Sequence, residues 1–305
     1  MTPLTASTAL TSWQFAPLVS AMLAVLFTLY LLCAARVRQR HPARPWPLQR
    51  TLAFLAGLAV IAIATQSSIG VYDDVLFSVH MVQHVLLIMV APALLVVGRP
   101  VTLLLHSWGN PVHSTVKRVV RSGPVTALTR PAVVTALYCV VVIGTHTPPF
   151  MDLVLENQAV HDTEHALYLL TGCLFFLVLL GTEPLRHRVS TLGAFLMLLP
   201  AMLADSATGV VYTLPSREVF APYARVARDW GPSLVTDLHA GGYIMFIGSD
   251  IVMTAIGIML AARLLRSADG DTLANGSRRH PAAESDAALG AYNEYLRKLA
   301  SGADA

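Results

Sequence analysis

Seven stretches of the chain are apolar for long enough to cross a bilayer: about 16–35, 50–69, 75–98, 131–147, 159–181, 190–213 and 238–264. A helix needs roughly 20 mostly apolar residues to span a hydrocarbon core of about 30 Å. None of the stretches shows the alternation of a barrel strand, so helices must satisfy the backbone inside lipid. The fourth is short and is expected to continue past its His146-Thr-Pro-Pro end. No basic region precedes the first stretch and no small-residue cleavage site follows it, so it reads as a retained helix. Segment 99–130 mixes apolar runs with basic residues and is expected to be a surface connector, with an amphipathic piece at the membrane interface as the sharper reading. No internal repeat or inverted symmetry is visible, which disfavours many secondary-transporter folds.

Composition strengthens this reading. Of 305 residues, 55% are hydrophobic and only 13% are charged, against about 25% charged in soluble domains. Disordered, fibrous and ordinary cytosolic classes are thereby excluded. The net charge of +3 hides a strong bias. Eighteen of the 21 basic residues fall in the first, third and fifth connectors and the tail, and only Arg217, Arg225 and Arg228 lie on the opposite side. Basic residues accumulate on the cytoplasmic side. The expected fold is therefore an all-α integral membrane protein, a seven-transmembrane-helix bundle with its N-terminus outside and its C-terminus cytoplasmic. Residues 1–15 form an extracytoplasmic N-terminus, 16–266 the bundle, and 267–305 a polar cytoplasmic tail with a short possible helix near 286–299.

Eleven histidines against three scattered cysteines (Cys33, Cys139, Cys173) make imidazole the chemically interesting excess. With orientation assigned, six share the outer side: His80, His84, His146, His161, His165 and His239. His80 and His84 are spaced i, i+4 on one helix face with Gln83 beside them. His161 and His165 repeat the spacing, and Tyr168 and Gly172 continue the stripe. Ionisable residues within spans face the bundle interior and mark functional paths. Neutral imidazole is the commonest metal ligand and suits copper, zinc, iron and nickel. The competing reading of any single histidine is an interhelical hydrogen bond. Met81, Met151, Met202 and Met245 are candidate thioether donors, though Met is also ordinary filler. Asp205, about 12 Å below the outer end of its helix, and Asp250 are deeper acids, either functional or structural partners of a Thr or Tyr. Asp73, Asp74, Asp152, Glu156, Asp162, Glu164 and Asp237 cluster on the outer side. They either attract cations or complement helix N-termini. The second reading, applied to Asp162 and Glu164, needs no further assumption.

His80-Met-Val-Gln-His84 followed by Ala-Pro-Ala, Gly98-Arg-Pro100-Val-Thr, His146-Thr-Pro-Pro, Val160-His-Asp-Thr-Glu-His165 and Asp237-Leu-His-Ala-Gly-Gly242 through Gly248-Ser-Asp250 resemble the CtaG family of cytochrome c oxidase assembly factors. The resemblance runs from about 50 to 265. It implies a non-enzymatic seven-helix protein of the bacterial plasma membrane that builds haem–copper oxidases. It further implies copper, Cu(I) or Cu(II), delivered to the oxidase catalytic subunit, with an extracytoplasmic copper carrier as a possible donor. Carried over position by position, the implied ligands are His80, His84, His146, His161 and His165. The family pattern has a Gln-type residue where His239 stands and usually Glu where Asp250 stands.

Two other classes remain at this stage. A membrane cytochrome would use histidines from separate helices as axial haem ligands. A metal or proton transporter would use Asp205 and Asp250 to complete a path. A retinal protein is disfavoured, because the only lysines, Lys117 and Lys298, lie outside the spans. No hydrolase motif is present, and lipid, not nucleic acid, is the expected surrounding.

Overall fold

A computed structural model describes residues 2–217, 219–226 and 228–262, together with 265, 289–294 and 297. Among these residues every regular element is a helix. The chain divides into two compact units, 1–255 and 256–305. Six helices are long and apolar enough to cross a membrane: α1 (Pro17–Arg40), α2 (Leu48–Tyr72), α3 (Phe77–Ser107), α5 (Gln158–Leu180), α6 (Thr191–Tyr212) and α7 (Leu234–Ala262). Between them, α4 (Pro131–Thr145) is followed by Pro148–Glu156 at a bend of 72°, and the pair makes a seventh span if counted as one. In the second unit, the described residues 256–262, 265, 289–294 and 297 are helical, the last seven within the expected 286–299 helix. The rest of the tail expected at 267–305 lies outside the described residues.

The bend follows from the sequence. Pro148 and Pro149 have no N–H to return to the carbonyls of Gly144 and Thr145, so α4 must end there. Pro in a first helical turn is well tolerated, and a new helix restarts at Pro148. The expected continuation of the fourth stretch therefore exists, but in a new direction. His146 is left at the C-cap of α4. Connector 99–130 is three short helices, Pro100–Ser107 closing α3, then Val112–Val120 and Gly123–Leu128.

The bundle is apolar outside and partly polar inside. Leu18, Leu170 and Leu203 are exposed, while His80, Gln83, Glu164 and Asp205 are buried. That inversion suits lipid as the surrounding solvent. Within the first unit α3 is central. Its first turns pack on the start of α7, and its second half packs on α2 and α5. A π-helical stretch, Leu86–Val90, interrupts α3 just before Pro92, and a second, Ile244–Gly248, interrupts α7. Such interruptions often accompany functional sites.

The start of α3 is held from another helix. Asp237 on α7 accepts the Phe77 N–H at 2.7 Å, the Ser78 N–H at 3.3 Å and the Ser78 hydroxyl. These are amide groups with no partner inside their own helix. Asp237 thus serves a helix N-terminus, as the dipole reading expected. Replacing it with Ala should cost about 1–2 kcal/mol, the scale of a lost cap. Thermal unfolding of the D237A protein in detergent should show a clearly lowered midpoint, and an unchanged one would deny the cap its role.

Candidate metal centre

The first turns of α3 and α5 and the end of α4 meet at one end of the bundle. There the structure gathers five of the six singled-out histidines. The rings of His80 and His84 are 4.2 Å apart, His161 and His165 4.3 Å, His80 and His161 5.2 Å, and His84 and His146 5.2 Å. The i, i+4 spacing supplies each pair, and the packing of α5 on α3 brings the pairs together. Tyr168, one turn beyond His165, lies over His84 with centroids 4.3 Å apart.

Two carboxylates join them. Glu164 Oε2 is 3.5 Å from His84 Nε2 and 3.8 Å from His80 Nε2. Asp73 Oδ2 is 3.8 Å from His161 Nε2 and accepts a hydrogen bond from Gln83 Nε2 at 2.7 Å. Asp73 sits in the turn between α2 and α3, where burial pushes its carboxyl up to about 7. The helix-start reading of Glu164 is therefore corrected. Glu164 is buried and points into the cluster, while Asp162 at the same helix start is exposed and pairs with Gln158. Glu156 likewise pairs with Arg225, at 2.6 Å on the surface.

Hydrogen-bond partners fix several proton positions. His146 Nδ1 is 2.7 Å from the Val142 carbonyl, which can only accept, so Nδ1 carries the proton and Nε2 is bare. His84 Nδ1 lies 3.4 Å from that bare nitrogen and is the donor of the pair. Its own Nε2 is then bare and faces Glu164. A lone pair facing a carboxylate is unfavourable unless a proton or a cation lies between them. Gln83 spends its amide hydrogens on Asp73 and on the Ala64 carbonyl at 2.9 Å, so its oxygen accepts from His165 Nε2 at 2.8 Å. His165 is thereby left with Nδ1 as its free donor atom. The Tyr212 hydroxyl holds the His146 carbonyl, and Tyr168 binds Thr145 at 2.6 Å.

Six buried atoms of this cluster have no hydrogen-bond partner among the described residues: both nitrogens of His80, Nε2 of His84 and of His161, and both oxygens of Glu164. An unsatisfied buried polar atom costs about 1–3 kcal/mol. Six together would rival the roughly 5–15 kcal/mol by which a typical fold is stable. The donor set fits a metal cation. Ligand atoms of His80, His161 and Glu164 lie within 4.8 Å of one another, as do those of Asp73, His161 and His165, with His161 common to both groups.

The other singled-out residues lie elsewhere. His239 is not brought into the cluster: its Nε2 is 2.8 Å from the Pro215 carbonyl beyond α6. Met81 is buried against Gly241, whose missing Cβ would fall 3.1 Å from Met81 Cγ. Its neighbour on the chain, His80, faces α5 instead. Met245 is buried on α7 and Met202 is half-buried on α6. The deep acids have structural partners, Tyr138 donating to Asp205 at 3.1 Å and Ser206 to Asp250 at 3.0 Å. Asp73 and Glu164 had been noticed only as outer acids. The available signal was the i+3 position of Glu164 from His161, on the same helix face.

The family model for the cytochrome c oxidase caa3 assembly factors matches residues 28–267. The chain is 28% identical to the uncharacterized protein Mb0105 of Mycobacterium bovis and to the uncharacterized protein MT0111 of Mycobacterium tuberculosis, over 97% of this chain and 46% of each relative. It is 27% identical to the uncharacterized protein ML1998 of Mycobacterium leprae, over 95% of this chain and 45% of that one. The chain thus spans about half the length of the curated relatives it matches. No solved structure matches it.

Proposed function

We propose that this chain, which belongs to the cytochrome c oxidase caa3 assembly factor family, carries copper as cargo in the buried histidine cluster and passes it to the catalytic subunit of an oxidase under assembly. Family membership supports an oxidase as the partner and assembly as the task. The copper step rests on one observation above all: the unpartnered imidazole and carboxylate atoms of His80, His84, His161 and Glu164. Imidazole with carboxylate suits a borderline metal such as copper. None of the three cysteines enters the cluster contacts described above, so thiolate has no part in the reading.

The basic bias of the connectors supports an orientation with the cluster on the outer side, which would put it within reach of an extracytoplasmic copper carrier. Two overlapping donor groups sharing His161 favour transfer, because an incoming partner can displace ligands one at a time.

Glu164→Gln tests the reading with little change of shape. Copper binding by the full-length protein in detergent should weaken about 10–100-fold, the range seen when a group supporting metal ligands is lost. The same substitution in cells should lower the yield of active oxidase. Unchanged copper affinity together with normal oxidase would refute the proposal.

A further inference from the structure

At the end of the bundle opposite the histidines, a cavity of about 530 Å³ is lined by Arg121, Leu185, Arg186 and Arg188. Arg121 comes from the connector between α3 and α4, and the other two arginines from the connector between α5 and α6. All three are exposed, and among the described residues no ion pair or hydrogen bond engages their guanidinium groups. Like charges gathered on one hollow repel one another.

The sequence provides no local counter-charge. Connector 99–130 holds Arg99, Lys117, Arg118, Arg121 and Arg130 and no acidic residue. Connector 181–190 holds one acid, Glu183, and that carboxylate is already committed. It accepts the Val101 N–H at 3.0 Å, the Thr102 N–H at 2.8 Å and the Thr102 hydroxyl, capping Pro100–Ser107.

The helix Val112–Val120, which leads into Arg121, shows where the cavity sits. At about 100° per residue, Val112, Val116, Val119 and Val120 share one face, while Lys117, Arg118 and Arg121 lie on the opposite one. No residue of this helix is fully buried: Val112, Val116 and Val120 are half-buried and Val119 is 56% exposed, so the protein covers the valine face only in part. A helix of this kind lies in the membrane plane with its apolar face in the acyl boundary and its basic face at the headgroups. The pattern favours the amphipathic interface piece over a plain surface connector. At such an interface Arg121, at the helix end, would lie at the depth of lipid phosphates.

We infer that Arg121, Arg186 and Arg188 form a binding site for the phosphodiester headgroup of an anionic phospholipid, with Leu185 against its glycerol or acyl end. Guanidinium forks match phosphate oxygens in pairs, and the cavity is of the size of ligand pockets generally. Each basic residue near an anionic membrane surface adds to the attraction, and the fork geometry adds selectivity for a phosphate seated in the cavity.

The test uses the full-length protein in a neutral detergent, titrated with short-chain phosphatidylglycerol, phosphatidylcholine or inorganic phosphate, with retained adducts read by native mass spectrometry. Phosphatidylglycerol should be retained at least tenfold over phosphatidylcholine. The R121Q/R186Q/R188Q protein should lose that preference while keeping its basal phosphatidylcholine adducts. The R121K/R186K/R188K protein keeps the charge without the fork and should fall between. R186Q and R188Q alone, at exposed connector positions, should each lower the ratio at least threefold, so the outcome does not hinge on the triple variant folding. Equal phosphatidylglycerol retention in the parent and glutamine variants overturns the site. Inorganic phosphate that displaces the lipid at equal concentration overturns its assignment to lipid.

Discussion

Protein purified without chelator should carry about one or two copper ions per chain, and His80→Ala with His84→Ala should carry none. The two imidazoles project from one face of α3 into the space between Glu164 and His161. Both nitrogens of His80 and Nε2 of His84 lack partners. Removing them takes away the two imidazole lone pairs that α3 can offer a cation, and leaves Glu164 with no facing imidazole from α3. The variant also relieves buried unsatisfied groups in the metal-free protein. Its thermal midpoint without copper should therefore fall less than two deleted core side chains would suggest, whereas the stabilisation by added copper should vanish. Metal analysis and thermal unfolding with and without copper measure both effects. Unchanged copper stoichiometry in the double variant would sink the assignment, and a Soret band in protein made with full haem supply would replace copper by haem.

The second large effect lies away from any ligand, at Gly172. A Cβ built there would fall 2.1 Å from the Ile88 carbonyl oxygen and 2.7 Å from Pro92 Cγ. Pro92 cannot donate an N–H to Ile88, the carbonyl four residues before it, and the π-helical turn Leu86–Val90 lies at this point. The backbone of α5 approaches that carbonyl directly, which only a residue without a side chain allows. Both obstacles are rigid, one backbone and one ring. Gly172→Ala must push α5 away from α3, and overpacking of this kind costs about 1–3 kcal/mol or more. The same displacement separates His161 and His165 from His80 and His84. Copper affinity should fall at least tenfold although no ligand has changed. Gly144→Ala is the contrast: nothing lies within 4 Å of its Cβ position. It should leave copper binding as it is and the midpoint equal or slightly raised. If both alanine variants bind copper as the parent does, close contact between the two helices does not set the site.

The parts of this protein that depend on local pattern were legible in its sequence. Apolar run length located the six helices long enough to cross a membrane, because a helix in lipid must be apolar over its whole span. The i, i+4 spacing put each histidine pair on one face, because helical geometry leaves no choice. The short fourth run reads as continuing past His146, as it does, but nothing in its pattern foretells a turn of 72° there. What stayed hidden depends on which groups meet across helices. An acid in the opening turns of a helix has the same local pattern whether it stays in the open, as Asp162 does, or faces inward, as Glu164 does. Asp73 and Asp237 are both outer acids beside α3, yet one joins the histidines and the other caps the helix that carries two of them. His239 shares the depth expected of its fellows, but the Pro215 carbonyl claims it.

By itself, then, the sequence determined the helices, the faces they present and the charge bias between their ends, all consequences of chain-local periodicity and of the bilayer as solvent. Only the tertiary structure decided which imidazoles converge, which carboxylates join them and which arginines share a hollow. Those pairings are set by the angles and separations at which helices pack. These in turn depend on a few close contacts, such as Gly172 on Ile88, that leave no trace in hydropathy.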